Sequence, residues 1–305
     1  MQKILITGAN GLLGQKLVHL LANNPTIDLI ATARGKSRLP ISEGFRYLEM
    51  DLNNPTQIES VIQEIQPDSI IHTAAMTNVD ICHQDPTGCW NANVRAVEYL
   101  IEQCQRHHIY LCHVSTDFVF DGENGPYKED AQPAPISVYG KSKYEAELRV
   151  QASGLRWSII RTVLVYGIVP DMSRSNIILW VKNSLEKGQA IKVVSDQLRT
   201  PTLAEDLAKG CWLATQKQAE GIFHISGKDL MSPYDMAMAT ADYFKLDKQL
   251  ITEVTAATFT QEAKRPPRTG FVLDKAIHEL GYEPISFWEG IEIMVEQLKA
   301  ITSPS

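Results

Sequence analysis

The sequence lacks any long apolar segment. Although 44% of its 305 residues are hydrophobic, its apolar runs have the length of single strands, well short of the roughly 20 residues that a membrane-spanning helix needs. We also expect no cleavable leader, because Met1-Gln2-Lys3 continues directly into Ile4-Leu5-Ile6-Thr7, which has the pattern of a buried strand. We therefore expect a cytoplasmic protein that does not cross a membrane.

Cysteine pairs and excess positive charge are absent too. The five cysteines are scattered and none forms a Cys-x-x-Cys pair, so we expect reduced thiols. His72, His83, His107 and His108 show no metal-ligand spacing relative to carboxylates or cysteines, and no metal site is predicted. A net charge of -7 argues against the broad basic surface by which proteins bind nucleic acid.

What the sequence does contain is a regular alternation of strand and helix patterns. Strand-like runs lie at Ile4 to Thr7, Leu29 to Ala33, Phe45 to Glu49, Ser69 to His72, Tyr110 to Val114 and Trp157 to Thr162. Helical patterns separate them over about the first 165 residues, and this order predicts an α/β fold with a doubly wound, parallel, Rossmann-type sheet.

Beyond this region the alternation loosens, and we expect a smaller C-terminal substrate-binding lobe. We assign residues 1–168 to a dinucleotide-binding domain, to which residues 190–227 return. Residues 169–189 and 228–305 form the lobe. No glycine- or serine-rich linker separates the two parts, so we expect them to pack around a shared cleft.

A glycine-rich turn, Gly8-Ala9-Asn10-Gly11-Leu12-Leu13-Gly14, follows the first strand. Glycines at such a turn let backbone N–H groups approach a pyrophosphate, and the N-terminus of the next helix favours its negative charge. The spacing differs from the commonest Gly-x-Gly-x-x-Gly fingerprint, and a tight turn without a ligand is the alternative. Three glycines exceed what a turn requires, so the pattern favours a dinucleotide.

The end of the second strand indicates which dinucleotide. An acidic residue here would hold the ribose 2′-hydroxyl of NAD, whereas arginine suits a 2′-phosphate. The sequence has Arg34 at this position, with Lys36 and Arg38 nearby. It therefore predicts NADP(H) as the preferred cofactor, with NAD(H) and a solvated basic loop as the alternatives.

Tyr139 and Lys143 stand four residues apart at the start of a helical pattern, and that spacing places both on one helix face. A tyrosine phenol has a pKa of about 10, and a neighbouring ammonium would lower it, which favours proton exchange with a carbonyl or alcohol oxygen. Most such pairs are solvated helix surface. Here Ser115-Thr116-Asp117 adds hydroxyls at the carboxyl edge of the sheet, where α/β proteins bind ligands.

Taken in order, these motifs resemble those of the extended short-chain dehydrogenase/reductases, and within them the dTDP-4-dehydrorhamnose reductases. The resemblance covers nearly the whole chain. The matching segments are Thr7 to Gly14, Ala74-Ala75, Ser115 to Gly122, Pro126 to Asp130, Pro135 to Lys143, Arg161-Thr162, Val165 to Gly167, Pro201-Thr202, Asp206 to Ala208 and Arg265-Pro266.

The resemblance implies an NADPH-dependent reductase of a 4-keto-6-deoxy nucleotide sugar, an enzyme of dTDP-rhamnose biosynthesis. The catalytic triad of the family falls on Thr116, Tyr139 and Lys143. Thr116 would bind the substrate oxygen, Tyr139 would protonate it, and Lys143 would hold the nicotinamide ribose. The implied cofactor-binding residues are Gly8, Asn10, Gly11, Leu12, Leu13, Gly14, Arg34, Asp51, Leu52, Ala74 and Ala75, together with Tyr139 and Lys143.

A nucleotide-sugar substrate carries a diphosphate, which arginine binds bidentately. Arg199, Arg265 and Arg268 are the candidates, and Asp117 is a further candidate for the substrate site. For each arginine, a surface charge or an ion pair between the lobes is the alternative. The motifs are compatible with a homodimer.

Other activities of the same scaffold stay open. The deoxysugar reductases usually have tryptophan just before Val-Tyr-Gly, where this chain has Leu164. A nucleotide-sugar epimerase or dehydratase is one alternative, although Phe118 stands where dehydratases tend to have glutamate. Another is a non-catalytic, NADP-binding regulatory subunit similar to that of methionine adenosyltransferase.

Overall fold

The structure is a computed structural model that describes residues 1–170, 176–259 and 262–302. Within these residues the strands are β1 (Gln2–Thr7), β2 (Ile27–Ala33), β3 (Arg46–Glu49), β4 (Ser69–His72), β5 (Tyr110–Thr116), β6 (Trp157–Thr162), β7 (Val165–Tyr166), β8 (Ile191–Val194), β9 (Thr202–Leu203), β10 (Gly221–His224) and β11 (Ile251–Val254). Seven of them form one sheet in the order β10-β6-β5-β4-β1-β2-β3, and all of its pairs are parallel. The predicted doubly wound Rossmann-type sheet is confirmed.

Within the described residues, the helices lie between strands along the chain, and the last helix follows the last strand. They are α1 (Leu12–Leu21), α2 (Pro55–Ile65), α3 (Val79–Gln84), α4 (Pro86–Trp90), α5 (Ala96–His107), α6 (Val138–Gln151), α7 (Ile177–Glu186), α8 (Ala204–Lys217), α9 (Pro233–Phe244) and α10 (Phe287–Thr302). A π-helical segment, Asn91–Arg95, continues α4 into α5. None of the helices in the described part of the chain combines the length and apolar character that spanning a bilayer requires.

Helices cover both faces of the sheet because successive side chains of a strand point in opposite directions. Ile4 and Ile6 of β1 belong to a core cluster that includes residues of α1 and α8. Leu5, between them, belongs to a second cluster with residues of α2, α5 and α6. The strands are thus apolar on both faces, which is typical of parallel sheets, and their carboxyl ends stay free to form a site.

Local sequence fixes the start of α6. The Ser137 hydroxyl accepts a hydrogen bond from Gly140 N–H at 3.0 Å, which satisfies one of the free donors of the first turn. Gly140 also lies against the chain that follows β5, since a Cβ there would be 2.2 Å from Phe118 O. Both features hold the first turn of α6, and with it Tyr139, against the end of β5.

The C-terminal part contains a separate two-stranded sheet in which β8 pairs in parallel with β11. This sheet packs on α7 and α9, and α10 packs with both helices in a neighbouring cluster. Of the segment 190–227, β10 joins the main sheet and α8 covers it, whereas β8 lies in the small sheet. Residues 171–175, 260–261 and 303–305 of the predicted lobe lie outside the described residues.

Candidate active site

A cleft of about 660 Å³ opens at the carboxyl edge of the sheet. Its walls come from the ends of β1 to β4, from α5 and from the π-helical segment before it. An α/β sheet binds its ligands at this edge, beside the strand where the order reverses. Among the predicted cofactor-binding residues, those that line the cleft are Gly8, Arg34, Asp51, Leu52, Ala74 and Ala75.

The glycine turn brings backbone close to the floor of the cleft. Gly8 has a left-handed φ of +72°, and a Cβ there would lie 2.8 Å from Ala74 N. A Cβ on Gly14 would lie 2.3 Å from Gly8 O. Neither position accommodates a side chain, so the tight passage of the turn depends on these two glycines.

Helix α1 begins directly after Gly11, and no side chain caps its first N–H groups. Its first turn contains Leu12, Leu13 and Gly14 and has no acidic residue. Free N–H groups and the positive end of the helix dipole favour a negatively charged ligand. The geometry suits the pyrophosphate-binding assignment of this turn, which stays a prediction.

Asn10 connects the glycine turn to the basic loop, residues 34–38, which contains Arg34, Lys36 and Arg38. Its Nδ2 donates to Lys36 O at 2.9 Å, and its Oδ1 accepts from Arg38 N at 2.8 Å. The Tyr47 hydroxyl donates to Gly35 O at 2.6 Å. These bonds fix the loop at the end of β2, where Arg34 is exposed at the cleft.

Tyr139 lies behind the wall of the cleft, next to Met76. It is buried in a small cluster with Cys82 and Cys89 and makes an edge-to-face contact with Phe118, with ring centroids 5.6 Å apart. Met76 packs on the same cluster and also lines the cleft. Met76 therefore connects the predicted catalytic tyrosine to the predicted cofactor site.

Burial controls the protonation of Tyr139. It raises the pKa of Tyr139 above the usual range of tyrosine, and the Thr116 hydroxyl lowers it only in part. The expectation that Lys143 would lower this pKa is not met, because the ammonium is directed at Val114 and His113 and desolvation has the larger effect. Tyr139 is thus protonated at neutral pH and has a proton to donate.

Lys143 is held by groups of the sheet. Its Nζ donates to Val114 O at 2.8 Å and lies 3.2 Å from His113 Nε2. Burial lowers the pKa of Lys143 to about 8, and the Glu147 carboxylate, one turn further along α6, raises it in part. The ammonium is therefore charged at neutral pH but close to its titration point.

Thr116 and Asp117 are neighbours at the end of β5. Thr116 Oγ1 donates to Asp117 Oδ1 at 3.1 Å. Asp117 is 2% exposed. It also accepts a hydrogen bond from Thr269, and Arg199 Nε lies 3.8 Å from its Oδ2. Burial raises the pKa of Asp117, whereas Arg199 lowers it, so this carboxyl serves contacts within the protein.

The three arginines predicted to bind a diphosphate have different surroundings. Arg199 is buried, and its guanidinium donates to the carbonyls of Leu198, Pro266 and Pro267. These bonds tie two segments of the chain together and use three of the five N–H donors of Arg199. They match the alternative interpretation of this residue, as a tie between lobes, better than a diphosphate ligand.

Arg265 and Arg268 lie on the segment that Arg199 holds. Arg265 forms an ion pair with Asp80 of α3 at 2.6 Å, and beside it Gln84 donates to Glu262. The side chain of Arg268 is exposed. Both arginines remain predicted diphosphate ligands, and the ion pair shows that Arg265 already faces the helix next to Tyr139.

Sequence reasoning passed over several buried polar residues beneath the site. Glu147 pairs with Arg161 at 2.7 Å and accepts a hydrogen bond from Ser115 at 2.5 Å. His113 lies against Lys143. A signal was present for both: Glu147 follows Lys143 at helical spacing, and His113 precedes Ser115 by two residues, which places them on one face of β5.

Comparison with known proteins identifies the family. A family model described as RmlD substrate binding domain matches residues 1–300. The dTDP-4-dehydrorhamnose reductase of Aggregatibacter actinomycetemcomitans is 32% identical over 301 residues, which cover 95% of this chain and 96% of that protein. Methionine adenosyltransferase 2 subunit beta of Danio rerio is 31% identical over 270 residues, which cover 87% of this chain and 81% of that protein.

Solved structures share the fold over its full extent. A dTDP-4-dehydrorhamnose reductase of Clostridium acetobutylicum superposes with a TM-score of 0.86 at 27% identity, covering 98% of this chain and 100% of that one. The enzyme of the same name from Bacillus anthracis, solved in complex with NADP, gives a TM-score of 0.84 at 27% identity, covering 97% and 100%. The chain therefore belongs to the RmlD substrate-binding-domain family, within the extended short-chain dehydrogenase/reductases that its motifs resemble.

Proposed function

We propose that the protein is an NADPH-dependent reductase that converts the keto group of a 4-keto-6-deoxy nucleotide sugar into an alcohol. The observation that carries the proposal is the placement of Tyr139 and Lys143 on one buried face of α6, with the Thr116 hydroxyl beside Tyr139 and Met76 between Tyr139 and the cleft. The relationship to dTDP-4-dehydrorhamnose reductases over 95% of the chain supports the substrate class.

The residues of the cleft fit NADPH. Gly8 allows the backbone to run close to a ligand, and the first turn of α1 offers uncapped N–H groups to a pyrophosphate. Arg34 stands exposed where a ribose 2′-phosphate needs a cation. NAD(H) is the alternative cofactor. When bound, the nicotinamide supplies the hydride that reduces the carbonyl carbon.

Two side chains would act on the substrate oxygen. Thr116, whose hydroxyl donates to Asp117 in the structure, would rotate to donate its proton to that oxygen instead. Tyr139, which is protonated at neutral pH, would give up its phenolic proton as negative charge develops on that oxygen. The Lys143 ammonium, which is directed at His113 and Val114, would hold the nicotinamide ribose. Preorganised donors of this kind need little rearrangement during the reaction.

For the diphosphate of the substrate, we propose Arg268 and Arg265 as ligands. Arg199 would hold their segment in place, and Asp117 would hold Arg199. A cytoplasmic location and a homodimer belong to the same proposal. Size-exclusion chromatography with light scattering tests the dimer.

A second candidate is a regulatory subunit that binds NADP without turnover. It is favoured by the relatives named methionine adenosyltransferase 2 subunit beta, which are 28% to 32% identical to this chain. The complete set of Thr116, Tyr139 and Lys143 favours the enzyme, because a binding protein has no use for a buried proton donor beside the cofactor.

The decisive experiment incubates the purified protein with NADPH and a panel of 4-keto-6-deoxy nucleotide sugars. Absorbance of NADPH reports turnover, and nuclear magnetic resonance identifies the sugar product. We expect oxidation of NADPH that depends on one or more of these sugars. Tight binding of NADPH without turnover of any sugar would favour the regulatory subunit instead.

A further inference from the structure

A row of buried polar side chains crosses the sheet beneath α6. Thr7 on β1, His72 on β4 and His113 on β5 are direct neighbours in register, so all three point to the same face of the sheet. Further from the carboxyl edge this face is apolar, with Leu5 and Leu111 in its core. His72 and His113 are 1% and 0% exposed. Polar groups buried to this degree normally have polar partners.

The row joins the cleft to Lys143, the predicted catalytic lysine. Thr7 lines the cleft, and its Oγ1 lies 2.7 Å from His72 Nδ1. The His72 ring stacks on the His113 ring with centroids 5.3 Å apart, and His113 Nε2 lies 3.2 Å from Lys143 Nζ. Among the described residues, neither His72 Nε2 nor His113 Nδ1 has a hydrogen-bonding partner. The ring of His113 therefore makes its hydrogen bond with Lys143.

Lys143 faces ionisable groups from four elements. They are His113 of β5, His72 of β4, Glu147 of α6 and Cys89 of α4. Burial, and to a smaller extent the charge of Lys143, holds the pKa of both histidines below the usual range, so both rings are neutral. The ammonium thus has a neutral imidazole beneath it and a carboxylate one turn away.

The chemistry of the pair fixes which atom accepts. An ammonium has three donors and no acceptor, so neutral His113 presents the lone pair of Nε2 to it and carries its own proton on Nδ1. Val114 O accepts a second hydrogen bond at 2.8 Å. With two donors engaged below, the third is left for a ligand in the site.

We infer that His113 is a positioning residue, whose Nε2 holds the Lys143 ammonium in place and in its charged form. The consequence for turnover rests on the proposed function. The contact between His113 and Lys143 does not rest on the proposed function. Because Lys143 is also a predicted cofactor-binding residue, we expect His113 to affect cofactor binding as well. A histidine that served only to fill space in the sheet would have no influence on when the lysine titrates.

Two amide variants separate positioning from packing. The amide of His113→Gln reaches about as far as Nε2 and keeps an acceptor for the ammonium, whereas the shorter amide of His113→Asn ends near the position of Nδ1. Loss of the acceptor disfavours the ammonium, so Lys143 gives up its proton at lower pH. We expect the alkaline limb of kcat/KM to move down by roughly one pH unit in His113→Asn and to stay near the wild-type position in His113→Gln.

His72→Asn is the matched control. His72 is equally buried, and asparagine keeps an amide near the Nδ1 that contacts Thr7, but His72 makes no hydrogen bond to the lysine. The dependence of kcat/KM on pH in His72→Asn should therefore coincide with that of the wild type. The inference is overturned if His113→Asn has the wild-type profile, or if His72→Asn shifts the limb as far. Thermal unfolding of every variant shows that folded protein is compared.

A second readout does not depend on turnover. The affinity for NADPH, measured by calorimetry as a function of pH, should decline at lower pH in His113→Asn than in the wild type. If the wild type reduces no nucleotide sugar, the proposed function fails, yet this affinity profile still tests His113, and coincident profiles refute it. Should His113→Asn not fold, His113→Met against His113→Gln provides the same comparison.

Discussion

Asp80 and Arg265, which are 185 residues apart in the chain, form an ion pair of 2.6 Å. Asp80 lies on α3, whose Cys82 packs against Tyr139, so the pair connects the C-terminal segment to the wall of the site. The hydrogen bond from Arg265 is the largest factor that lowers the pKa of Asp80. Both side chains are partly exposed, and such pairs contribute only about 0–1 kcal/mol to stability. The pair matters more for where it holds the arginine.

Arg265→Ala should therefore impair substrate binding without unfolding the protein. A guanidinium bonded to a diphosphate is a charge-assisted contact, and its loss should raise KM for the nucleotide sugar by about tenfold or more. The affinity for NADPH should not change. Steady-state kinetics and calorimetry measure the two quantities.

Asp80→Asn is the informative partner of that variant, because it removes the ion pair and keeps the arginine. If Arg265 binds substrate directly, Asp80→Asn should raise KM much less than Arg265→Ala does, because the guanidinium is still present. Equal increases of KM in both variants would mean that Arg265 acts only by tying its segment to α3.

Tyr139→Phe should reduce kcat by about 10²–10⁴-fold, the usual contribution of general acid catalysis. Phenylalanine keeps the ring in its cluster with Cys82 and Cys89, so the melting temperature and the affinity for NADPH should be unchanged. Thr116→Val removes one hydrogen-bond donor and keeps the acid, and its kcat should fall less. Full activity of Tyr139→Phe on a good substrate would exclude the mechanism.

Arg34→Asp should shift cofactor preference toward NADH. The arginine is exposed at the cleft, and an aspartate in its place would repel the 2′-phosphate and accept a hydrogen bond from the ribose hydroxyl of NADH. We expect the ratio of the two dissociation constants to change by about tenfold or more. Arg156→Asp, at an exposed pair with Glu220, is the control for a change of charge alone, and an equal shift there would refute the assignment.

The titration of Lys143 predicts how stability depends on pH. Burial lowers the pKa of Lys143 to about 8, against 10.5 for a free lysine. Between these values the unfolded chain holds a proton that the folded chain has released, so the free energy of unfolding rises with pH. Below the folded pKa both states are protonated, and the buried charge lowers stability by a constant amount. In Lys143→Met this rise should be missing.

Urea denaturation of the wild type and of Lys143→Met, at pH values between the folded and unfolded pKa of Lys143, measures the effect. Subtracting one curve of unfolding free energy against pH from the other removes the contributions of the titrating groups that the two proteins share. Lys141→Met, at an exposed position of the same helix, should give a curve parallel to the wild type. A flat difference between the wild type and Lys143→Met would show that burial does not shift the titration of this lysine.

Features encoded by short stretches of sequence were predictable. The strand-turn-helix with Gly8 and Gly14, and the pair Tyr139 and Lys143, depend on spacings within one or two turns. The alternating apolar strands then specified the sheet, because burial on both faces leaves few other arrangements for such runs. The structure accordingly places Arg34 and Ala74 on the walls of one cleft.

Features that depend on distant partners were not predictable. Nothing in the sequence around Arg199 shows that it will be buried. Its partners include the carbonyls of Pro266 and Pro267, more than 60 residues away. The state of Tyr139 depends on how deeply it is buried, which no local pattern reports, so the expected effect of Lys143 on its pKa was wrong. Helix α3 has only six residues, too few for helical periodicity to stand out.

The hydrogen bonds that Asn10 and Tyr47 make with the basic loop indicate that the loop can be transferred to a related enzyme as a unit. Its backbone is anchored at Gly35, Lys36 and Arg38 by side chains outside it, while the side chain of Arg34 is engaged by neither anchor. Exchanging the loop between related enzymes should therefore carry cofactor preference with it, provided that the recipient has an asparagine and a tyrosine at these two places. An engineer who grafts the loop without its anchors would transfer the charges but not their position.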